Sequence, residues 1–341
     1  MSTRQRFASI AEVGSTLLVA VAAAMWASDA YFRPGLTKQL NAGQIVLVED
    51  VLITIGLLPV LVAGFASLRR LDWRKWVAVA LIAAGPQALA TVLFTGAIGY
   101  AFRNPAAADL DVLHEVYLLY LLQPVFGLAF ARVFLGERRR PEFWPLAAVA
   151  LVGVYLIVFA DAPGAPWLIR HAELVAALLV LGAVCMWAGG TVLGRYALEE
   201  LSFPLTAALR FTLAVPVLLL IVVLESGSKA LNGYAIGQLP SFLGIALIPG
   251  LLAMLLYYGA LSRTPASLAT IAELGYPCAL FLIFSLPAPV GQGAPLRPLE
   301  WVGAALLVVG VLSLNFLKTR PIVESPRQPD ARRLVEPSEP A

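Results

Sequence analysis

The sequence predicts an all-α integral membrane protein of ten transmembrane helices, arranged as two inverted five-helix repeats. Three observations carry this expectation. Hydrophobic residues make up 60% of the 341 residues and charged residues 13%, with a mean hydropathy of +0.83. A soluble domain sits nearer roughly 45–50% and about 25%, and lipid is the solvent that accommodates the excess. Apolar runs of the length that crosses a bilayer, roughly 20 residues, recur along the chain. Residues of the first half also reappear in order in the second.

The runs lie at 10–32, 44–66, 76–101, 112–135, 143–160, 172–195, 203–224, 236–261, 266–286 and 299–317. The first is longer than the 7–15-residue apolar core of a signal peptide, so it reads as a retained helix. Pro59, Pro86, Pro124, Pro216, Pro249 and Pro277 fall inside runs. Neighbouring helices satisfy the carbonyls that such prolines free. A barrel is excluded by length, because its strands need only about 9–11 residues. Basic residues cluster on one side of the predicted topology: Arg4, Arg6, Arg69, Arg70, Arg74, Lys75, Arg138, Arg139, Arg140, Arg195, Arg263 and those from Lys318 onward. The other side holds fewer, namely Arg33, Lys38, Arg103, Arg170, Lys229 and Arg297. The positive-inside rule therefore puts both termini in the cytoplasm. Residues 321–341, rich in Pro, Ser, Glu and Arg, are expected to be a disordered tail.

The repeat is the sharper signal. Met25-Trp26-Ala27-Ser28 matches Met186-Trp187-Ala188-Gly189 at a shift of 161, and the same shift brings Glu49 onto Arg210. Pro86 and Gly96-Ala97 match Pro249 and Gly259-Ala260 at 163, Pro124 matches Pro277 at 153, and Trp144 matches Trp301 at 157. This divides the chain into repeats over 10–160 and 172–317. Five crossings per copy is an odd number, so the second copy enters from the opposite side. Inverted repeats of this kind build a site near the midplane and open it alternately to either face.

Leu122-Gln123-Pro124-Val125-Phe126, then Ala131 and Leu135-Gly136-Glu137-Arg138, resembles the end of the first repeat in EamA-type members of the drug/metabolite transporter superfamily. Trp26, Trp187, Phe94-Thr95-Gly96-Ala97 and Thr191-Val192-Leu193-Gly194-Arg195 fit the same pattern over about residues 10–317. The second half departs from it with Ser285-Leu286-Pro287 in place of Leu135-Gly136-Glu137-Arg138. The resemblance implies a bacterial inner-membrane location and a central cavity lined by the first, third and fourth helices of each half. It also implies export or exchange of a metabolite such as an amino acid or nucleoside.

Ionisable groups at bilayer depth need a partner, a cavity or a short reach to water. Asp29, Glu49, Asp50, His114 and Glu115 fall toward the outside and form a candidate acidic vestibule. Within it the adjacent carboxylates Glu49 and Asp50 are candidates for proton coupling, or for structural pairing. Arg132 and Arg195 sit near enough to the boundary to anchor their helices. Arg210 and Glu273 lie at matching depths in the seventh and ninth helices, and an ion pair or shared hydrogen-bond network is expected between them. Glu49 and Arg210 fall at opposite depths and should not pair.

Tyr120 and Gln123 beside Pro124, and Glu273 and Tyr276 beside Pro277, share one spacing and so one helix face. With Trp26, Trp187, Tyr257 and Tyr258 they are the candidate cavity wall, aromatic surface with a few polar groups. Tyr117 is a further aromatic candidate.

The two histidines, His114 and His171, and the two cysteines, Cys185 and Cys278, offer no metal spacing. Zinc-protease, P-loop and nucleophile-elbow motifs are missing. The expectation is a secondary transporter with no cofactor and no nucleic-acid partner, using a small-molecule substrate, with protons as a candidate coupling ion. The alternatives are a flippase for a lipid-linked head group and a non-transporting membrane protein.

Overall fold

A computed structural model describes residues 3–103, 119–120, 122–158, 174–287 and 297–316. The regular structure of these residues is all helix, with no strand among them, as apolar solvent demands of a chain that must bond its own backbone. His114, Glu115, Tyr117, His171 and the tail 321–341 lie outside them.

The first half runs α1 (Thr3–Trp26), α2 (Asp29–Thr37), α3 (Ala42–Leu68), α4 (Trp73–Ile82), α5 (Ala90–Arg103), α6 (Gln123–Phe134) and α7 (Phe143–Val158). The second runs α8 (Leu174–Ala197), α9 (Phe203–Ser226), α10 (Leu239–Ile245), α11 (Ala253–Leu261), α12 (Ala266–Ala272), α13 (Gly275–Ser285) and α14 (Pro298–Phe316). Among the described residues, six spans are long and apolar enough to cross a membrane: Gly14–Thr37, Ala42–Leu68, Trp73–Ile98, Val175–Ala197, Phe203–Ser226 and Ile236–Leu261. Phe143–Leu156 and Pro298–Leu314 are shorter apolar helices.

The run at 266–286 departs from expectation, because it is two helices with a turn at Glu273–Leu274. Pro277 explains the break. Its ring lacks an N–H and crowds the carbonyl four residues back, that of Glu273. In the first half, α6 likewise starts just before Pro124.

The third helix of each half carries the same irregularity. A π-helical stretch of 7 residues spans Ala83–Leu89 around Pro86, and another spans Ala246–Leu252 around Pro249. The two are offset by the sequence shift of 163. Proline removes one helical hydrogen bond, and the wider π turn accommodates the lost partner.

Packing between the halves is reciprocal. α1 lies against α11 and α13, while α8 lies against α5 and α6. α3 pairs with α9, and α7 with α14. The last pair is held close by Gly153 and Gly310, themselves offset by 157. A Cβ on Gly153 would fall 2.6 Å from the Gly303 carbonyl oxygen, and one on Gly310 would fall 2.9 Å from the Ala150 nitrogen. Only glycine permits that backbone approach.

Polar ties finish the ends. Gln44 donates to the carbonyls of Ala230 (3.0 Å) and Asn232 (2.9 Å), joining the start of α3 to the loop after α9. Glu137 of the first half accepts from the backbone N–H groups of Ala266 (2.9 Å) and Ser267 (3.1 Å), capping α12 of the second. Arg139 Nε donates to Ser267 Oγ at 2.6 Å. Burial lowers the Arg139 guanidinium pKa from its ordinary value, and the Glu137 charge partly offsets this.

A central chamber walled by both halves

The elements that break from regular helix meet around one cavity. It offers about 140 Å³ to the centres of water molecules, room for on the order of ten waters. Its wall is drawn from both halves and sorts into three parts.

The first part is an ionic knot. α1 ends at Trp26, and α2 restarts at Asp29, so that Asp29 and Arg33 share a face four residues apart. Arg33 Nε donates to Asp29 Oδ2, Nη2 to Glu49 Oε2 at 2.8 Å, and Nη1 to Thr95 Oγ1 at 3.0 Å. The guanidinium fork suits such multiple recognition.

The second part is a relay that runs from the wall, at Gln87 and Arg210, to Asp50 and Tyr258 behind it. Gln87, on the π-helical stretch, donates through Nε2 to Asp50 Oδ1 at 2.9 Å and accepts from Arg210 Nε at 2.6 Å. Arg210 Nη1 donates to the Tyr258 hydroxyl at 3.2 Å.

The third part centres on Glu273, buried at the α12–α13 break. Its carboxylate accepts from Gln123 Nε2 (2.5 Å), Thr191 Oγ1 (2.9 Å) and the Tyr257 hydroxyl (2.6 Å). Between these polar groups runs an aromatic shell. Ring centroids are 5.0 Å apart for Phe94 and Trp187, 5.1 Å for Tyr120 and Tyr276, and 5.2 Å for Trp26 and Tyr257.

Of the residues singled out from the sequence, Trp26, Tyr120, Gln123, Trp187, Tyr257, Glu273 and Tyr276 line this cavity, as do Asp29, Glu49 and Arg210. Tyr258 does not. It is fully buried behind the wall, bonded to Arg210. Asp50 also stands behind, reached through Gln87. The ion pair or shared network expected between Arg210 and Glu273 is not formed. Each is held by neutral partners, because the consecutive residues Tyr257 and Tyr258 of α11 carry them in different directions. Glu49 and Arg210 do not pair, and Glu49 is matched by Arg33 instead. Arg132 is exposed, and Arg195 donates to the Ser262 carbonyl at 2.9 Å.

Arg33 was counted as an outer-side topology charge, yet it is buried at 5% exposure. The Asp29–Arg33 spacing is the signal that identifies it. Gln87, Thr91 and Thr95, also in the wall, follow one another at intervals of four along an otherwise apolar run.

One matched pair behaves differently in the two halves. Trp187 Nε1 donates to the Pro86 carbonyl at 2.9 Å. Among the described residues its counterpart Trp26 makes no such bond to Pro249, and its ring packs against Tyr257 and the neighbouring apolar side chains.

The model of the EamA-like transporter family matches residues 14–159 and again 174–316. The chain belongs to the EamA-like transporter family. This EamA protein is thus a multi-pass membrane protein of a transporter family, with its family unit present twice. Among relatives, the riboflavin transporter ImpX of Fusobacterium nucleatum is 27% identical over 318 residues, covering 89% of this chain and 98% of that protein. A riboflavin transporter of Rhizobium johnstonii is 26% identical, covering 72% and 71%. The uncharacterized transporter YwfM of Bacillus subtilis is 26% identical over 56% of this chain and 60% of its own. A solved crystal structure superposes with a TM-score of 0.62 at 17% identity, covering 88% of this chain and 96% of that one, a likeness of fold.

Proposed function

We propose that this EamA protein is a secondary transporter for a small, planar, polar metabolite of the riboflavin type, working by alternating access in a bacterial inner membrane. The chamber is the observation that carries the reading. Its aromatic shell suits the faces of a heteroaromatic ring, and the polar groups at its margins suit carbonyl, imide and hydroxyl substituents. Two relatives named as riboflavin transporters support that substrate class.

In this reading the chain crosses the membrane ten times, as inverted repeats over 10–160 and 172–317, with both termini in the cytoplasm. The offset π-helical stretches and the reciprocal packing of α1 and α8 support a two-fold relation between the halves. The unequal Trp–Pro pairs support motion: exchanging the conformations of the halves breaks the Trp187–Pro86 bond and makes a Trp26–Pro249 bond. Protons remain the candidate coupling ion. Glu49 and Asp50 are less suited to that role than the sequence implied, since Arg33 and Gln87 already engage them.

Counterflow tests the substrate directly. Proteoliposomes loaded with unlabelled riboflavin should take up external labelled riboflavin in a saturable way, competed by flavins and not by leucine. Counterflow no greater than in protein-free liposomes would defeat the flavin reading.

A further inference from the structure

We propose that Arg210 and Glu273 are the two recognition poles of the chamber. They would take a ligand that presents a carbonyl or other electron-rich edge to Arg210 and N–H or O–H donors to Glu273, and they would disfavour a phosphate ester. The proposal rests on the chamber being the substrate site and names what that site reads.

Among the described residues, five charged ones line the cavity: Asp29, Arg33, Glu49, Arg210 and Glu273. The first three are tied together in the ionic knot, where one guanidinium faces two carboxylates and leaves a net negative charge. Arg210 and Glu273 have no ion-pair partner among the described residues. The Arg210 bonds go to an amide oxygen and a phenol oxygen, and its Nη2 makes no hydrogen bond among the described residues. The Glu273 bonds come from an amide, an alcohol and a phenol. Both are buried, at 7% and 2% exposure.

Charged groups at this depth usually pair with one another, because an isolated charge is costly in low dielectric. Two opposite charges on one wall that served only to hold the bundle would be expected to meet. Instead Tyr257 and Tyr258, with ring centroids 5.5 Å apart, each hold one of them, and the two charges stay separate. Neutral partners orient each group, and among the described residues no opposite charge touches either one directly. Acidic lining groups outnumber basic ones, and Asp50 adds another carboxylate behind Gln87. A dianionic phosphate would therefore meet net repulsion.

The test uses purified full-length protein in detergent, with riboflavin fluorescence quenching for affinity and ligand-free thermal unfolding for stability. Arg210→Gln and Glu273→Gln should each weaken riboflavin binding about tenfold or more, the effect of losing a charge-assisted hydrogen bond. Both variants should melt close to the wild type, whereas Arg33→Gln, which strands the buried Glu49 and the partly buried Asp29, should melt clearly lower. Flavin mononucleotide should bind at least about tenfold more weakly than riboflavin.

Unchanged affinity in both variants would overturn the proposal, as would equal binding of flavin mononucleotide. A wild type that binds no riboflavin would instead count against the flavin reading, and the melting comparison would then decide the poles. Retained stability in the Arg210 and Glu273 variants supports them, and a loss matching Arg33→Gln makes both residues structural and ends the proposal.

Discussion

The two halves of the molecule agree in their scaffolding and differ at their contacts with the chamber. Gly153 and Gly310 play matching parts in the α7–α14 contact, and the π-helical stretches around Pro86 and Pro249 have equal length. Yet Trp187 is bonded to Pro86 while Trp26 is not bonded to Pro249. Position 273, the counterpart of Tyr120, is a carboxylate, and position 210, the counterpart of Glu49, is a guanidinium. What repeats is the part that holds helices together. What differs is the part that faces the chamber. A fold built from two copies keeps its symmetry where packing demands it and loses it where chemistry needs distinct groups.

The largest effect is expected where the halves agree. Gly153→Val and Gly310→Val each force a side chain into a neighbouring backbone, and overpacking typically costs about 1–3 kcal/mol, occasionally more. Both should lower the yield and melting temperature of purified protein by similar amounts, and a large loss in one alone would break the equivalence of the two contacts. Next come the tryptophans. Trp187→Phe removes one hydrogen bond from this conformation, worth roughly 0.5–1.5 kcal/mol, and should shift the population toward the opposite-facing state about two- to tenfold. Trp26→Phe should shift it the other way. Labelling of a cavity cysteine introduced as Thr91→Cys, with Cys185 and Cys278 replaced by Ala, reads both shifts. Tyr258→Phe, which loses only the 3.2 Å bond from Arg210, should have the smallest effect. It should lower affinity less than Tyr257→Phe, whose hydroxyl bonds Glu273 directly at 2.6 Å.

Much of this was legible in the sequence for physical reasons. Run length and the lack of charge are properties of each segment alone, so the long spans could be marked without knowing their neighbours. The Tyr120–Gln123 and Glu273–Tyr276 spacings suggested shared helix faces, yet a turn falls within each pair, and all four residues reach the cavity across those turns. Partner choice is not local. Glu273 is bonded from α6, α8 and α11, and no spacing along the chain predicts three helices converging on one carboxylate. The burial of Arg33 was not legible, because a charge after an apolar run looks the same whether it meets water or two carboxylates. The turn at Glu273–Leu274 was within reach, since Pro277 stood in the sequence, but proline bends some helices and breaks others according to what surrounds the freed carbonyl.

The central claim is that the halves take turns closing one shared chamber. Its most direct test is labelling of the Thr91→Cys reporter in oriented membranes with a membrane-impermeant thiol reagent, applied to one face at a time. Access should be confined to one face in each conformational state, and Trp187→Phe and Trp26→Phe should move it in opposite directions between the faces. Labelling at equal rates from both faces in every variant would describe an open pore, and would contradict the account.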